Sequence, residues 1–416
     1  MSAETINGAR IVLETLHRLG VTDMFGYPGG AVIPIYDEIY SFPEIKHYFV
    51  RHEQGAAHAA DGYARVSGRV GVCLATSGPG ATNLVTGIMT AYMDSVPMVA
   101  ITGQVGRPFI GKDSFQEADI QGITMPITKH NYLVQDIHDL PRIIKEAYFI
   151  AGTGRPGPVL IDIPKDIQTE KISMAEYNKL YEVPIHLEGY DPTYKGHQGQ
   201  IKKAATLIKN AKRPLIIAGA GVLKSGAMDE LKELAEKAQI PVTNTLVGLG
   251  GFPGDHELAL GMVGMHGSVA ANNSTDEADL VIAAGIRFHD RITGHPDFFC
   301  KKAKIIHIDI DPAEIDKNVT INVPIVGDSK QVLTELNAHE AWLEQIREWQ
   351  AEYPMVIPES KNDVLHAQYV LSELNKIAKE DAIIVSDVGQ HQMWAAQFLT
   401  HKKPHTIVTS GGAGTM

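Results

Sequence analysis

The feature that most constrains this chain is a repeated alternation. Short apolar runs each end at a glycine or small-residue turn, and a helical stretch follows. Runs of this kind stand at Val70–Ala75, Met98–Thr102, Val159–Ile163, Pro214–Ala218, Ile240–Asn244, Leu280–Ala284 and Lys304–Ile310. An apolar run without polar alternation suits a strand covered on both faces, and a helix between two such strands is the crossover that a parallel sheet needs. The pattern predicts an α/β chain of doubly wound parallel sheets.

Changes in the pattern mark three expected domains. The first covers 1–170, opening with a helix from Ala3 to Leu19 that Gly20 closes. Residues 171–197 are polar and aperiodic and read as a linker. A central domain spans 198–335, and a charged segment, 336–364, connects it to a third block at 365–416. That block holds a helix over Val364–Ala378 and a strand over Ala382–Ser386. A doubly wound domain needs on the order of 100–150 residues, and about 50 are present here, so the third is expected to be incomplete.

A formal net charge of -12 counts against a nucleic-acid surface. The two cysteines, Cys73 and Cys300, speak against a disulfide framework or a zinc site and fit a reducing, cytoplasmic setting. The first residues carry an early acid and no apolar core, so no signal peptide is expected, and no apolar run is long enough for a membrane span.

Several segments sit where an open α/β sheet places ligands, at the turn from strand to helix. Glu53, in Arg51-His52-Glu53-Gln54-Gly55, precedes the small-residue helix Ala56–Ala64. A helix-dipole acid explains it as well as a catalytic carboxylate does. The loop Thr76-Ser77-Gly78-Pro79-Gly80 offers backbone N–H groups, although tight turns without a ligand are commoner. Gly389-Gln390-His391 follows a strand and offers donors to an anion, yet a histidine such as His391, taken alone, is more often a satisfied turn residue than a ligand contact. Gly219-Ala220-Gly221 is a bare GxG, a weak dinucleotide signal. Asp309 and Asp311 close a strand, where an acid can hold a ribose hydroxyl or cap the turn at Pro312.

Taken together, these segments resemble the acetolactate (acetohydroxyacid) synthase large subunits, thiamin-diphosphate enzymes that carry FAD. The likeness runs through essentially the whole chain. Its most specific stretches are Gly26-Tyr27-Pro28-Gly29-Gly30-Ala31, the run from Arg51 to Arg65, and Thr409-Ser410-Gly411-Gly412-Ala413-Gly414-Thr415-Met416. Arg287-Phe288-His289-Asp290-Arg291 marks the FAD-bearing biosynthetic branch, with His289 where the family has an acidic or small residue. Two further departures are Lys112 in place of threonine and Gly106 in place of proline.

The resemblance implies decarboxylation of pyruvate and condensation of the two-carbon unit with a second 2-ketoacid, pyruvate or 2-ketobutyrate, in branched-chain amino-acid synthesis. It gives Glu53 the proton relay at the aminopyrimidine ring. It places Gly30, Gln116 and Lys165 at the reacting carbon and entrance, and Ala31 and Phe115 along the substrate channel. Gly389, Gln390, His391, Gly414 and Met416 would contact thiamin diphosphate. FAD would be held by Arg155, Gly219, Gly221, Thr245, Leu246, Met265, His266, Gly285, Arg287, Asp290, Arg291, Asp309 and Asp328, with Glu314 left open. The resemblance also implies a homodimer or tetramer with the active site at the subunit interface, and a small regulatory subunit. Alternatives are another flavin-bearing thiamin enzyme, such as a pyruvate oxidase, and a non-catalytic FAD-binding scaffold.

The Gly-Asp-Gly motif by which these enzymes hold Mg²⁺ does not occur; Gly327-Asp328-Ser329 falls at a flavin position. Residues 1–416 alone are therefore expected neither to hold thiamin diphosphate tightly nor to consume pyruvate. Acetolactate formation by the purified polypeptide, with added cofactor and Mg²⁺, would contradict that expectation.

Overall fold

The computed structural model describes residues 4–334, 342–358 and 365–415. Two compact units emerge, one of Met1–Asp191 with Gly412–Thr415, the other of Pro192–Gly411.

In the first unit, β1 (Thr5–Asn7) leads into a helix, Gly8–Arg18. Then come β2 (Asp23–Gly26), β3 (Lys46–Phe49), β4 (Gly71–Ala75), β5 (Met98–Gln104), β6 (His130–Leu133), β7 (Pro158–Pro164) and β8 (Lys171–Ser173). Six of these form a parallel sheet in the order β3-β2-β4-β5-β7-β6, while β1 and β8 pair antiparallel beside it. Every residue of β4, β5 and β7 is buried, as the unbroken apolar runs predict for strands covered on both faces. The chain leaves β2 toward one edge and β4 toward the other. Their carboxyl ends therefore flank the switch point at which open sheets bind ligands.

The helix Glu53–Ser67 lies against this sheet through Ala56, Ala57, Ala60 and Ala64, a stripe at helical spacing. His52 caps its start, its ring nitrogen accepting from the Gln54 N–H at 3.1 Å, and Gly68 ends it at φ +69°. The alanine stripe permits an unusually close approach. A Cβ built on Gly71 would stand 2.1 Å from the Ala60 carbonyl oxygen.

The second unit repeats the design with β9 (Pro214–Ala218), β10 (Val242–Asn244), β11 (Ala259–Met262), β12 (Leu280–Ala284), β13 (Lys304–Asp309) and β14 (Val323–Val326). Their order is β11-β10-β9-β12-β13-β14, all parallel, with the switch point between β9 and β12. β15 (Ile384–Val385) and β16 (Ile407–Val408) form a separate parallel pair. Trp342 is buried against this unit's core and donates its indole N–H to the Pro214 carbonyl at 2.9 Å.

Several segments differ from the sequence reading. The first helix begins at Gly8 rather than Ala3, because Asn7 caps it, its side chain accepting from the Arg10 N–H at 2.7 Å, and β1 occupies the residues before. The stretch read as a linker opens instead with β8 and the helix Met174–Glu182. Tyr177 of that helix is fully buried in the first core, and Arg18 stacks over the rings of Tyr177 and Tyr181. The polar composition hid this helix, since only its aromatic face is apolar. β6, β11 and β14 were unanticipated, and each is the edge strand of its sheet. Edge strands need less apolar surface, and Pro324 in β14 is tolerated there.

Gly71→Ala should overpack the contact with Ala60 and lower stability by about 1–3 kcal/mol, read as a fall in the urea midpoint with an unchanged m-value. An unaltered midpoint would show that the helix can move away freely.

Candidate active site and cofactor positions

Three loops converge at the carboxyl ends of β2, β3 and β4. The loop after β2 lays Gly29 on Thr76: a Cβ at Gly29 would come within 2.5 Å of that side chain. The Ala31 N–H donates to the Thr76 hydroxyl at 3.1 Å, and its carbonyl accepts from the Gln168 amide at 2.8 Å. Among the described residues, nothing lies within 4 Å of where a Cβ on Gly30 would stand. Glu53 follows β3 as the first helical residue and is only 8% exposed. Its Oε2 accepts from the Asn83 amide at 2.9 Å, and its Oε1 faces Gly80, whose Cβ would stand 3.2 Å away. Close by, the Tyr36 hydroxyl meets the His47 ring at 3.2 Å. Burial, and after it the charge of Glu53, pushes the Tyr36 phenol well above its ordinary range.

Gln116 adopts φ +59°, and its carbonyl packs on Gly78, where a Cβ would approach to 2.7 Å. Left-handed backbone at a residue with a side chain stores strain, which recurs at functional sites. Phe115 is exposed, as is Lys165 at the start of the helix after β7. Beside Lys165, Asp166 binds Arg107 at 2.7 Å, and Arg107 also reaches Glu170 at 2.9 Å. This clamp holds the start of the loop bearing Phe115 and Gln116. Gly106 has only ordinary contacts, so a side chain would fit there, and Lys112 is exposed.

The stretch Gly412–Thr415 belongs to the same unit. The Gly412 N–H donates to Asp94 at 2.6 Å, and the Thr415 hydroxyl meets that of Thr90 at 2.7 Å. Asp94 in turn binds Arg65 at 2.9 Å, near the end of the helix that Glu53 begins. Gly414 has φ +63°, and among the described residues nothing lies within 4 Å of where its Cβ would stand. Met416 lies outside the described residues.

In the second unit, Gly219-Ala220-Gly221 leaves β9 at the switch point and meets Gly285 from β12. Cβ atoms on Gly219 and Gly221 would come within 2.2 Å and 2.5 Å of Gly285. Thr245 and Leu246 follow the neighbouring β10, and the buried Asn244 Oδ1 beside them has no hydrogen-bond partner among the described residues. Asp309 closes β13 and accepts from the Asp311 N–H at 2.9 Å. Met265 joins Arg291 through the Arg291 carbonyl at 3.0 Å, and the His266 carbonyl accepts from Gln397. Gly285, Arg287 and Asp290 lie on the segment after β12, where His289 caps the helix Asp290–Thr293 by accepting from the Arg291 N–H at 3.2 Å. A ring nitrogen thus does there what an acidic side chain would do. Asp328 caps the helix Ser329–Leu333, and the buried Glu314 pairs with Lys317. Gly389, Gln390 and His391 start the helix Gln390–Phe398. Arg155 belongs to the first unit, its guanidinium donating to Ser95 at 2.9 Å, whereas the other residues read as flavin contacts belong to the second.

Among the described residues, no group of three or more His, Cys, Asp or Glu side chains is arranged to hold a metal ion, and no helix is long and apolar enough to cross a membrane.

The N-terminal TPP-binding domain of thiamine pyrophosphate enzymes matches residues 6–123, the central domain 201–336 and the C-terminal TPP-binding domain 387–416. An acetolactate synthase large subunit of Corynebacterium glutamicum is 52% identical over 99% of this chain and 67% of its own length. The chain belongs to the acetolactate synthase large-subunit family. An acetolactate synthase of Mycobacterium bovis is 50% identical over 100% of the chain and 68% of its own length, and a probable large subunit of Methanocaldococcus jannaschii is 51% identical over 99% and 71%.

Two residues of this acetolactate synthase chain that sequence reading did not single out stand out in the structure. Asn83 sat in a loop recognised for its glycines, and no spacing signal ties it to Glu53. Asp162, within the apolar run of β7, is buried, accepting from Thr102 at 2.7 Å and Gln104 at 2.8 Å. Gln104 also donates to the Ala118 carbonyl at 2.9 Å, anchoring the far end of the loop that Arg107 holds at its start. Burial pushes the Asp162 carboxyl from 3.8 up to about 7, against the two donors. A raised carboxyl pKa stabilises the fold below the unfolded value, and that stability is lost as pH rises toward 7. Asp162→Asn should therefore flatten the fall in stability between about pH 4 and 7, measured by urea unfolding across that range. A slope equal to the wild type would show that Asp162 does not govern it.

Proposed function

We propose that this chain serves the acetolactate synthase reaction, in which pyruvate is decarboxylated and its two-carbon unit joined to a second 2-ketoacid, pyruvate or 2-ketobutyrate, with residues 1–416 inactive on their own. The observation that carries this reading is the water-shielded carboxylate of Glu53 at a sheet switch point, with open space at Gly30 and Gly414 in the same unit. Those openings fit thiamin diphosphate: a flat ring needs approach unobstructed by side chains, and a buried acid needs a partner. Bound thiamin diphosphate supplies the electron sink for loss of carbon dioxide.

The protein's own part is to bind, orient and move a proton. Glu53 would hold or deliver a proton at the pyrimidine ring, where low surrounding polarity strengthens its hydrogen bond. Gly414 would offer its carbonyl to the ring's amino group, with Met416 beneath the coenzyme. Gly389, Gln390 and His391 would hold the diphosphate at a helix N-terminus, with Mg²⁺ as its counter-ion. Gly30, Ala31, Phe115, Gln116 and Lys165 would line the path of the ketoacid.

FAD is the proposed second cofactor. The β9/β12 switch point, the Asp309 carboxylate at the end of the next strand and the unpartnered Asn244 oxygen support it, since a dinucleotide brings hydroxyl donors to such positions. We assign it a structural role. A homodimer or tetramer with the active site at the subunit interface, a small regulatory subunit and a cytoplasmic location complete the proposal.

Glu53→Gln, made in the protein expressed from its own gene and supplied with thiamin diphosphate, Mg²⁺ and FAD, should lower acetolactate formation on the order of 100-fold or more. Undiminished formation would sink the reading.

A further inference from the structure

We propose that Asn83 is the positioning residue for Glu53, dictating which carboxylate oxygen is free to meet a ring nitrogen. The inference rests on the reading of Glu53 given above.

Asn83 stands 30 residues from Glu53 in sequence, just past the short helix Pro79–Thr82, and donates to Oε2 at 2.9 Å. A carboxylate only accepts, so the amide must present its NH₂ end. The terminal torsion of a glutamate is broad and roughly two-fold, so an unanchored carboxylate would exchange its oxygens freely. A donor on a rigid support removes that freedom.

The support is rigid here. The Asn83 N–H is tied to the Pro79 carbonyl at 3.0 Å. Thr76, which begins the same loop, is packed by Gly29 and receives the Ala31 N–H, and Gly78 is pressed against the Gln116 backbone.

With Oε2 committed, Oε1 is the oxygen that faces Gly80. A Cβ there would sit 3.2 Å from Oε1 and 2.6 Å from the Thr76 methyl, so glycine keeps this approach clear. The two oxygens thus have different duties. Oε2 is the anchor and Oε1 the working atom. Charge-assisted bonds of this kind are about twice as strong as neutral ones, enough to hold the carboxylate's orientation without blocking its exposed side.

A merely structural Asn83 would weaken folding and every bound state alike, whereas a positioning residue acts on turnover through Glu53. Four variants separate the two: Asn83→Ala, Asn83→Asp, Glu53→Gln and Glu53→Ala. In the protein expressed from its own gene, Asn83→Ala is expected to lower kcat about tenfold or more. KM for pyruvate and the thiamin diphosphate dissociation constant, by calorimetry, should stay within about threefold. Asn83→Asp, equal in size but placing a second negative charge against Glu53, should lose at least as much.

In the cofactor-free protein, Asn83→Ala should lower the thermal unfolding midpoint in the wild-type background and leave it unchanged in the Glu53→Ala background. A smaller fall in kcat, a parallel loss of coenzyme affinity, or additive midpoints would each overturn the assignment. Loss of turnover in Glu53→Gln without loss in Asn83→Ala removes only the role of Asn83. Full turnover in Glu53→Gln removes the reading of Glu53 beneath it.

Discussion

The first unit depends on one close contact, the backbone of the Glu53–Ser67 helix lying on the glycine that begins β4. Side chains no larger than methyl along Ala56, Ala57, Ala60 and Ala64 bring the helix axis nearer the sheet than larger residues would allow. That approach carries Glu53 down to the level of the strand ends, between the loops that follow β2 and β4. It also aims the other end of the helix. Arg65 grips Asp61 at 2.8 Å and Asp94 at 2.9 Å, and Asp94 receives the Gly412 N–H. One rigid rod thus fixes an acid at its start and, through two side chains, a glycine-rich segment beside its end.

The buried acids of this unit show how differently one chemical group can be accommodated. Asp61 and Asp94 share a guanidinium, so each carboxylate meets a positive charge. Asp162 has only neutral donors, and burial raises it into the range where protonation is available near neutrality. Glu53 has one neutral amide and one open side. The first arrangement pairs each charge, the second is responsive to pH, and the third leaves a lone pair available. The proposed proton relay needs the third.

Much of this was readable from the residues. Central strands announced themselves because burial on both faces demands unbroken apolar runs, and the α/β class followed from their alternation with helices. The candidate loops were readable because glycines cluster where chain and ligand must approach closely. Edge strands were missed because one flank of an edge strand has no neighbour and polar residues suffice there. The Met174–Glu182 helix was missed because its sequence is mostly polar, although Tyr177, Met174, Leu180 and Tyr181 seat it on the core. Asn83 and Asp162 were missed for a different reason. Their partners lie 30 and about 60 residues away, and nothing in local periodicity encodes a hydrogen bond between distant loops. His289 looked like a departure from its family, yet as a helix cap it fulfils the local requirement.

The turn shared by Gly219, Gly221 and Gly285 carries an evolutionary corollary. Their missing side chains are demanded by two crossing stretches of main chain, whatever nucleotide sits above them. Selection for a folded protein alone would preserve all three. A relative that held no flavin would display the same glycine signature, so the signature records packing, and the acid at the end of the neighbouring strand is the better test of the proposed dinucleotide site.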